Sequence, residues 1–246
     1  MADDVMPIAV VTGGGRGIGA SISKRLSLDG YRVLLTYNQS SNPAEEVVNQ
    51  IRSEGGDAVA VKVDCSSPAD IMILADHPWC KLGISALVIN HGAYVRTPSD
   101  KLTISRLRET MSVNFEGSFL VWEALSRYLQ EDARIVVIGS QLGIRGSPHG
   151  ADYSASKAAL HLWARSLAQA VGEKGQRVNV IAPGYIDTDL LSSDSLEKRM
   201  SRESEAPLKR MGTPDDVAGV VSFLISNDSS YVTGAILHVN GGLFLP

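Results

Sequence analysis

A chain of 246 residues with 44% hydrophobic content fits one α/β domain around a single core, and a second domain is not expected. The net charge of −4 and the absence of any Lys/Arg run argue against a nucleic-acid surface; Arg106, Arg108 and Arg127 read as solvated helix faces. Residues 1–7 are acidic where a secretory leader is basic, and no apolar run approaches ~18 residues, so a cytoplasmic protein away from membranes is expected.

Short apolar, β-branched runs lie at 8–12, 32–37, 58–63, 86–89, 135–138, 178–181 and 235–239. Helical patterns alternate with them at 18–28, 43–54, 71–77, 104–128, 153–171 and 214–224. Continuous apolar runs suit strands covered on both faces, so the alternation predicts a Rossmann-type doubly wound parallel sheet of about seven strands. Right-handed crossovers then put helices on both sides. Two helix starts carry their own signals: Asn42-Pro43 with an acidic pair behind it, and Thr213-Pro214-Asp215-Asp216, where a capping side chain precedes proline. The stretch 185–209 is polar and charged with a weak helical tendency; so long an excursion after a strand is expected to be a lid over a substrate site. Cys65 and Cys80 lack a CxxC spacing and the histidines at 77, 91, 149, 161 and 238 lack ligand spacing, so neither a disulfide framework nor a metal site is expected.

Gly13, Gly17 and Gly19 follow the first strand and open the first helix, so backbone amides and the helix N-terminus can face a pyrophosphate without side-chain obstruction. At the end of the second strand, where a carboxylate would bind the ribose hydroxyls of NAD, the chain reads Thr36-Tyr37-Asn38-Gln39-Ser40. Arg16 inside the glycine loop suits a 2′-phosphate instead. The expectation is NADP(H) in preference to NAD(H). Asp64 closes the third strand and either accepts a hydrogen bond from the adenine amino group or caps the helix after Ser66-Ser67-Pro68. Asn90-His91-Gly92-Ala93 ends the fourth strand, where open parallel sheets bind ligands; Gly92 allows close approach and His91 reads as structural.

Tyr153 and Lys157 stand four apart, on one face of a helix, so the ammonium is expected beside the phenol, lowering its pKa. Ser140 follows an apolar strand, at its carboxyl end, where its hydroxyl can hold a substrate carbonyl. Hydride delivery to a carbonyl carbon puts negative charge on oxygen, and a hydroxyl beside a proton source stabilises that charge.

Together these phrases resemble the short-chain dehydrogenase/reductase family along almost the whole chain: TGGGRGIG at 12–19, Asp64, NHGA at 90–93, Asn114 within Ser112-Val113-Asn114-Phe115, Ser140, Tyr153-Ser154-Ala155-Ser156-Lys157, Pro183-Gly184 and Asn240-Gly241-Gly242. The resemblance implies Tyr153 as general acid in ketone reduction and Lys157 as the group that lowers its pKa and contacts the nicotinamide ribose. It also implies Ser140 orienting the carbonyl and Asn114 supporting a water in a proton relay. Gly13, Gly15, Arg16, Gly17, Ile18, Gly19, Asn38, Asp64, Cys65, Asn90 and Gly92 fall at its cofactor positions, with Tyr153, Lys157, Pro183, Gly184, Ile186 and Thr188 at the nicotinamide end. For Asn114 the residues alone also allow a helix-interior asparagine bonded to backbone. The family's usual Asn-Asn-Ala-Gly is here Asn90-His91-Gly92-Ala93, a change expected to alter packing on the adenine side.

Residues 182–190, the Arg210-Met211-Gly212-Thr213-Pro214 stretch and residues 231–242 are most similar to the bacterial-type 3-oxoacyl-acyl-carrier-protein reductases within that family. A 3-oxoacyl thioester linked to CoA or an acyl carrier protein is the implied substrate, with another small or secondary-metabolite ketone as the alternative. Loops 94–100, 141–150 and 185–209 show no charge pattern that names a ligand. Lys174 and Arg177 would suit docking of an acidic carrier, while Glu131 and Asp132 would oppose it. A non-catalytic nucleotide-binding subunit beside a homologous partner is a further alternative. Apolar residues around 104–128 and 153–171, among them Phe115, Phe119, Trp122, Leu160, Trp163 and Leu167, exceed what one sheet face needs. The family resemblance implies a homotetramer built on them.

Overall fold

Seven strands form one sheet in the order β3-β2-β1-β4-β5-β6-β7, with every neighbouring pair parallel. They are β1 (Ile8–Val11), β2 (Arg32–Tyr37), β3 (Ala58–Lys62), β4 (Ile84–Ile89), β5 (Leu129–Ile138), β6 (Arg177–Pro183) and β7 (Ile236–Val239). This computed structural model describes residues 6–189 and 194–246. Alternate residues of each strand feed two cores: Val11 and Ile138 face one, Val10 and Val137 the other. The first core is closed by α1 (Gly17–Leu28), α2 (Ser41–Ser53) and α10 (Pro214–Ile225) through Ile22, Val47 and Val221. The second is closed by α3 (Pro68–Asp76), α6 (Gly117–Leu125) and α8 (Ala151–Val171) through Leu74, Val121 and Leu160. The doubly wound Rossmann-type sheet expected from the sequence is therefore present. Strand order turns between β1 and β4, and there the carboxyl ends open the crevice in which such sheets bind ligands.

The remaining elements adjust the expected plan. A short α4 (Pro78–Lys81) leads into β4, and a short α7 (Leu142–Arg145) follows β5. The predicted single helix at 104–128 is instead α5 (Ile104–Met111), a π turn over Ser112–Glu116, α6 and a 3-10 turn to Tyr128. A π turn widens the helix at Asn114, a buried residue whose side chain leaves the helix to bond elsewhere. Helix α2 starts at Ser41, earlier than the Asn42-Pro43 signal implied, and Ser40 sits at its cap without a side-chain bond. At α10 the signal holds: Thr213 and Asp216 form a capping box and Arg210 forks onto Asp216 at 2.6 and 2.9 Å. That guanidinium holds the Asp216 carboxyl well below the usual carboxylate range.

Strand β5 begins earlier than its apolar run because residues 130–133 bulge out of register, with Asp132 at φ 63, a left-handed geometry that aspartate tolerates. This corrects the carrier-docking expectation. Glu131, Asp132 and Lys174 lie at the amino end of the β5–β6 pair, the far end from Ser140. Arg177 is buried: its guanidinium donates to the carbonyls of Leu224, Ser226 and Ser229, riveting the 226–232 loop to β6. Leu160 and Leu167 belong to the core and cannot form an interface, whereas Phe119 and Leu162 are exposed. Among the described residues no helix is long and apolar enough to cross a membrane.

Candidate active site

The glycine loop is built by backbone bonds. Gly13 sits at φ +62, which a glycine adopts freely, and its amide donates to Thr36 Oγ1 at 3.1 Å. The Gly14 amide donates to the Thr36 carbonyl, and Asn90 Nδ2 donates to the carbonyls of Thr12 and Gly13 at 3.1 and 3.0 Å. At Gly19 a Cβ would lie 2.1 Å from the Gly13 carbonyl oxygen, so the loop can fold against the first turn of α1 only without a side chain there. Arg16 is the α1 N-cap residue, exposed and extended, and its side chain caps none of the first-turn amides. Those amides form an anion-accepting end, and the bare cradle fits a dinucleotide's pyrophosphate. Gly15 packs on Ala44 instead, serving the α1–α2 contact.

At the ends of β2 and β3, Asp64 accepts from the Ser66 amide and hydroxyl at 2.9 and 2.6 Å, which keeps its carboxyl below the ordinary value. The Asn38 side chain helps to lower the Asp64 carboxyl. The helix-capping alternative for Asp64 is ruled out, since Ser67 is the α3 cap and accepts from the Asp70 amide. Cys65 is buried and desolvation pushes its thiol up to about 12, so it is no reactive thiol. His91 is structural: its Nδ1 meets Thr12 Oγ1 at 2.8 Å, and burial with the Lys157 charge pushes it down to about 3.

The chemical groups meet at the end of β5. Helix α8 presents Tyr153 and Lys157 on one face, and Ser140 lies two residues past Ile138, the last residue of β5. Lys157 Nζ donates to the Ile138 carbonyl at 2.8 Å and stands 5.7 Å from the Tyr153 ring centre. The expected lowering of the phenol by Lys157 is not what this arrangement produces. Burial pushes Tyr153 up to about 12, the Ser140 hydrogen bond pulls it back in part, and burial lowers Lys157 to about 8. Tyr153 therefore holds its proton firmly at neutral pH. Asn114, in the π turn between α5 and α6, receives the Ala93 amide at 2.7 Å and donates to the Ala93 carbonyl and to Ser156 Oγ, both at 3.0 Å. Its side chain ties the 90–93 loop to α8. Gly92 faces Asn114 and the Lys157 ammonium, so the departure at 90–93 bears on the chemical end as well, while His91 packs against Thr12 and Gly13.

Ser140, Tyr153 and Lys157 open into a cavity of about 510 Å³ that Ile18, Asn90 and Gly92 also line. Pro183, Gly184, Ile186 and Thr188 form its β6 wall. Thr188 reaches back across Gly17, joining the two ends of the cavity. The segment 185–209 supplies further wall from α9 (Leu196–Glu205), a helix firmer than its sequence suggested because Ser195 caps it. Residues 190–193 of that segment lie outside the described residues.

Two features of this cavity escaped sequence reasoning. Tyr94 packs edge-on against Tyr153 with ring centres 4.9 Å apart and bonds the His149 carbonyl. Arg96, Arg145, Lys198 and Arg202 come from three separate segments to line one cavity that, among the described residues, carries a single acid, Glu205. Lys198 and Arg202 also pair with Asp194, at 2.5 and 2.8 Å, whereas Arg96 and Arg145 are exposed. A charge pattern thus exists where the loops read singly showed none.

A family model described as enoyl-(acyl carrier protein) reductase matches residues 13–244. The chain is 36% identical to the 3-oxoacyl-(acyl-carrier-protein) reductase MabA of Mycobacterium tuberculosis over 95% of its length and 91% of that protein. It is likewise 36% identical to versicolorin reductase of Emericella nidulans, covering 96% and 95% of the two chains. A short-chain dehydrogenase of Burkholderia cenocepacia, solved in complex with NADP, superposes with a TM-score of 0.90 at 35% identity, covering 96% and 97%.

Proposed function

Since the chain belongs to the short-chain dehydrogenase/reductase family of oxidoreductases, we propose that it reduces a ketone to a secondary alcohol with NADPH, the ketone being a 3-oxoacyl thioester on coenzyme A or an acyl carrier protein. The observation that carries this reading is a proton-bearing tyrosine beside a serine hydroxyl, at the base of a cavity whose rim is cationic. Bound NADPH would supply the hydride. Ser140 orients the carbonyl oxygen, and Tyr153 holds a proton within reach of that oxygen. An alkoxide is a far stronger base than a phenolate, so the transfer from Tyr153 runs downhill even with the phenol at about 12. Lys157 places its charge beside the site while anchored to Ile138, and Asn114 holds the loop that carries Gly92.

Thioester carriers bear phosphates, which Arg96 and Arg145 suit. For the cofactor, the absence of a carboxylate at the end of β2 and the exposed Arg16 favour NADP(H) over NAD(H). The segment 185–209 acts in this reading as a lid. Exposed Phe119 and Leu162 supply faces for a homotetramer; a monomer in light scattering at micromolar concentration would count against it.

The test is loss of NADPH or NADH absorbance with acetoacetyl-CoA. Turnover with NADPH supports the thioester reading. A second reading, an aromatic secondary-metabolite ketone, draws on Tyr94 and Tyr185 in the cavity wall and on the likeness to versicolorin reductase. Turnover of 2-tetralone with none of acetoacetyl-CoA would favour it.

A further inference from the structure

The end of β5 poses a backbone problem that one side chain solves. Past Ile138 the amides of Gly139 and Gln141 still bond to β6, donating to the carbonyls of Ile181 and Pro183 at 2.7 and 3.1 Å. The Ser140 amide between them points the opposite way, toward β4, which has already ended at Ile89. A buried amide without an acceptor costs ~1–3 kcal/mol and leaves its residue free to turn. Here it donates to His161 Nε2 at 3.3 Å.

His161 follows Tyr153 and Lys157 on the same face of α8, at steps of four. Lys157 takes the Ile138 carbonyl and His161 the Ser140 amide, so the helix grips the backbone on both sides of Gly139. The ring is buried and fits because its neighbours are glycines. A Cβ on Gly139 would lie 2.2 Å from Nε2, and one on Gly143 would lie 2.8 Å from Cε1. An apolar side chain would fill that slot without burying a polar ring; what imidazole adds is an acceptor.

We infer that His161 is a positioning residue that fixes the backbone of Ser140 and, through it, the hydroxyl offered to the substrate carbonyl. Accepting at Nε2 requires the neutral tautomer with its proton on Nδ1. Burial of the ring, and after it the nearby charges of Lys157, His238 and Arg165, disfavour its protonation. The kinetic consequence rests on the ketone-reductase reading; the hydrogen bond and tautomer do not.

The test compares full-length wild type, His161→Leu and His161→Gln, with NADPH binding as the check that each variant is folded. Glutamine offers an amide oxygen to the Ser140 N–H, and leucine offers nothing. With the best ketone, kcat is expected to fall about tenfold or more in His161→Leu, with NADPH affinity held, and to recover to within about threefold in His161→Gln. Equal activity in wild type and the leucine variant, or equal losses in both variants, would overturn the inference. Nitrogen NMR of labelled wild type is expected to show an unprotonated Nε2, with the Ser140 amide protected from exchange. A proton on Nε2 would overturn it whether or not any ketone is turned over. Wild type inert toward all ketones with that NMR signature intact would defeat the reductase reading and leave the positioning of Ser140 standing.

Discussion

At the end of β1 the site offers backbone, a glycine loop kept in place by Thr36 and Asn90. At the β5 end it offers the tips of side chains on α8 and the loop facing it. The first kind of site is indifferent to most side-chain chemistry and intolerant of added volume, since Gly19 lies against the Gly13 carbonyl. The second is intolerant of losing one functional atom. One cavity therefore has two modes of failure, which separate in binding and turnover.

The largest effect expected is at the chemical end. Tyr153→Phe keeps the ring and removes the proton, so turnover should drop by ~10²-fold or more while NADPH titration is nearly unchanged. A variant as active as wild type would remove Tyr153 from the chemistry. Gly19→Ala should do the reverse: its Cβ meets backbone, so NADPH should bind at least about tenfold more weakly and stability should fall ~1–3 kcal/mol. Unaltered NADPH affinity would mean that the loop is not the pyrophosphate cradle. Arg16→Ala should weaken NADPH about tenfold and NADH little; equal losses would show that Arg16 does not read a 2′-phosphate.

The smallest effect is one of linkage. Burial lowers Lys157 to about 8 from its ordinary 10.5, so between those values the unfolded chain binds the proton and the folded one does not. Stability is withheld below pH 8 and gained as pH rises through that window. The Tm difference between wild type and Lys157→Met should therefore shift in favour of wild type from pH 7.5 to 9.5, and a flat difference would place Lys157 in a more solvated site than its burial implies.

What was legible in the sequence follows the same division. Tyr153 and Lys157 were readable because four residues on a helix are a local distance, and the glycine loop because strand, turn and helix are consecutive. The cationic wall was not, since Arg96, Arg145 and Lys198 are brought together only by the packing of three segments over the sheet. Nor was the Ser140–His161 bond, which joins residues 21 apart with no periodicity to announce it. Arg177 misled because a charged residue at a strand start ordinarily faces water, and here a loop of carbonyls folds over it. The π turn at 112–116 was hidden because Asn114 leaves the helix for partners on β4's loop and α8, neither of which is a neighbour in the chain.

Helix α8 carries proton donor, ammonium and imidazole at 153, 157 and 161, so the chemical end depends on the phase of one helix. Deleting or inserting a single residue between 153 and 161 would turn everything beyond it by about 100°. Lys157 or His161 would then swing off β5, and Leu160, Ala164 and Leu167 would turn out of the core with them. In heritable terms, this stretch admits substitution at an outward position such as Ala155, but no change of length.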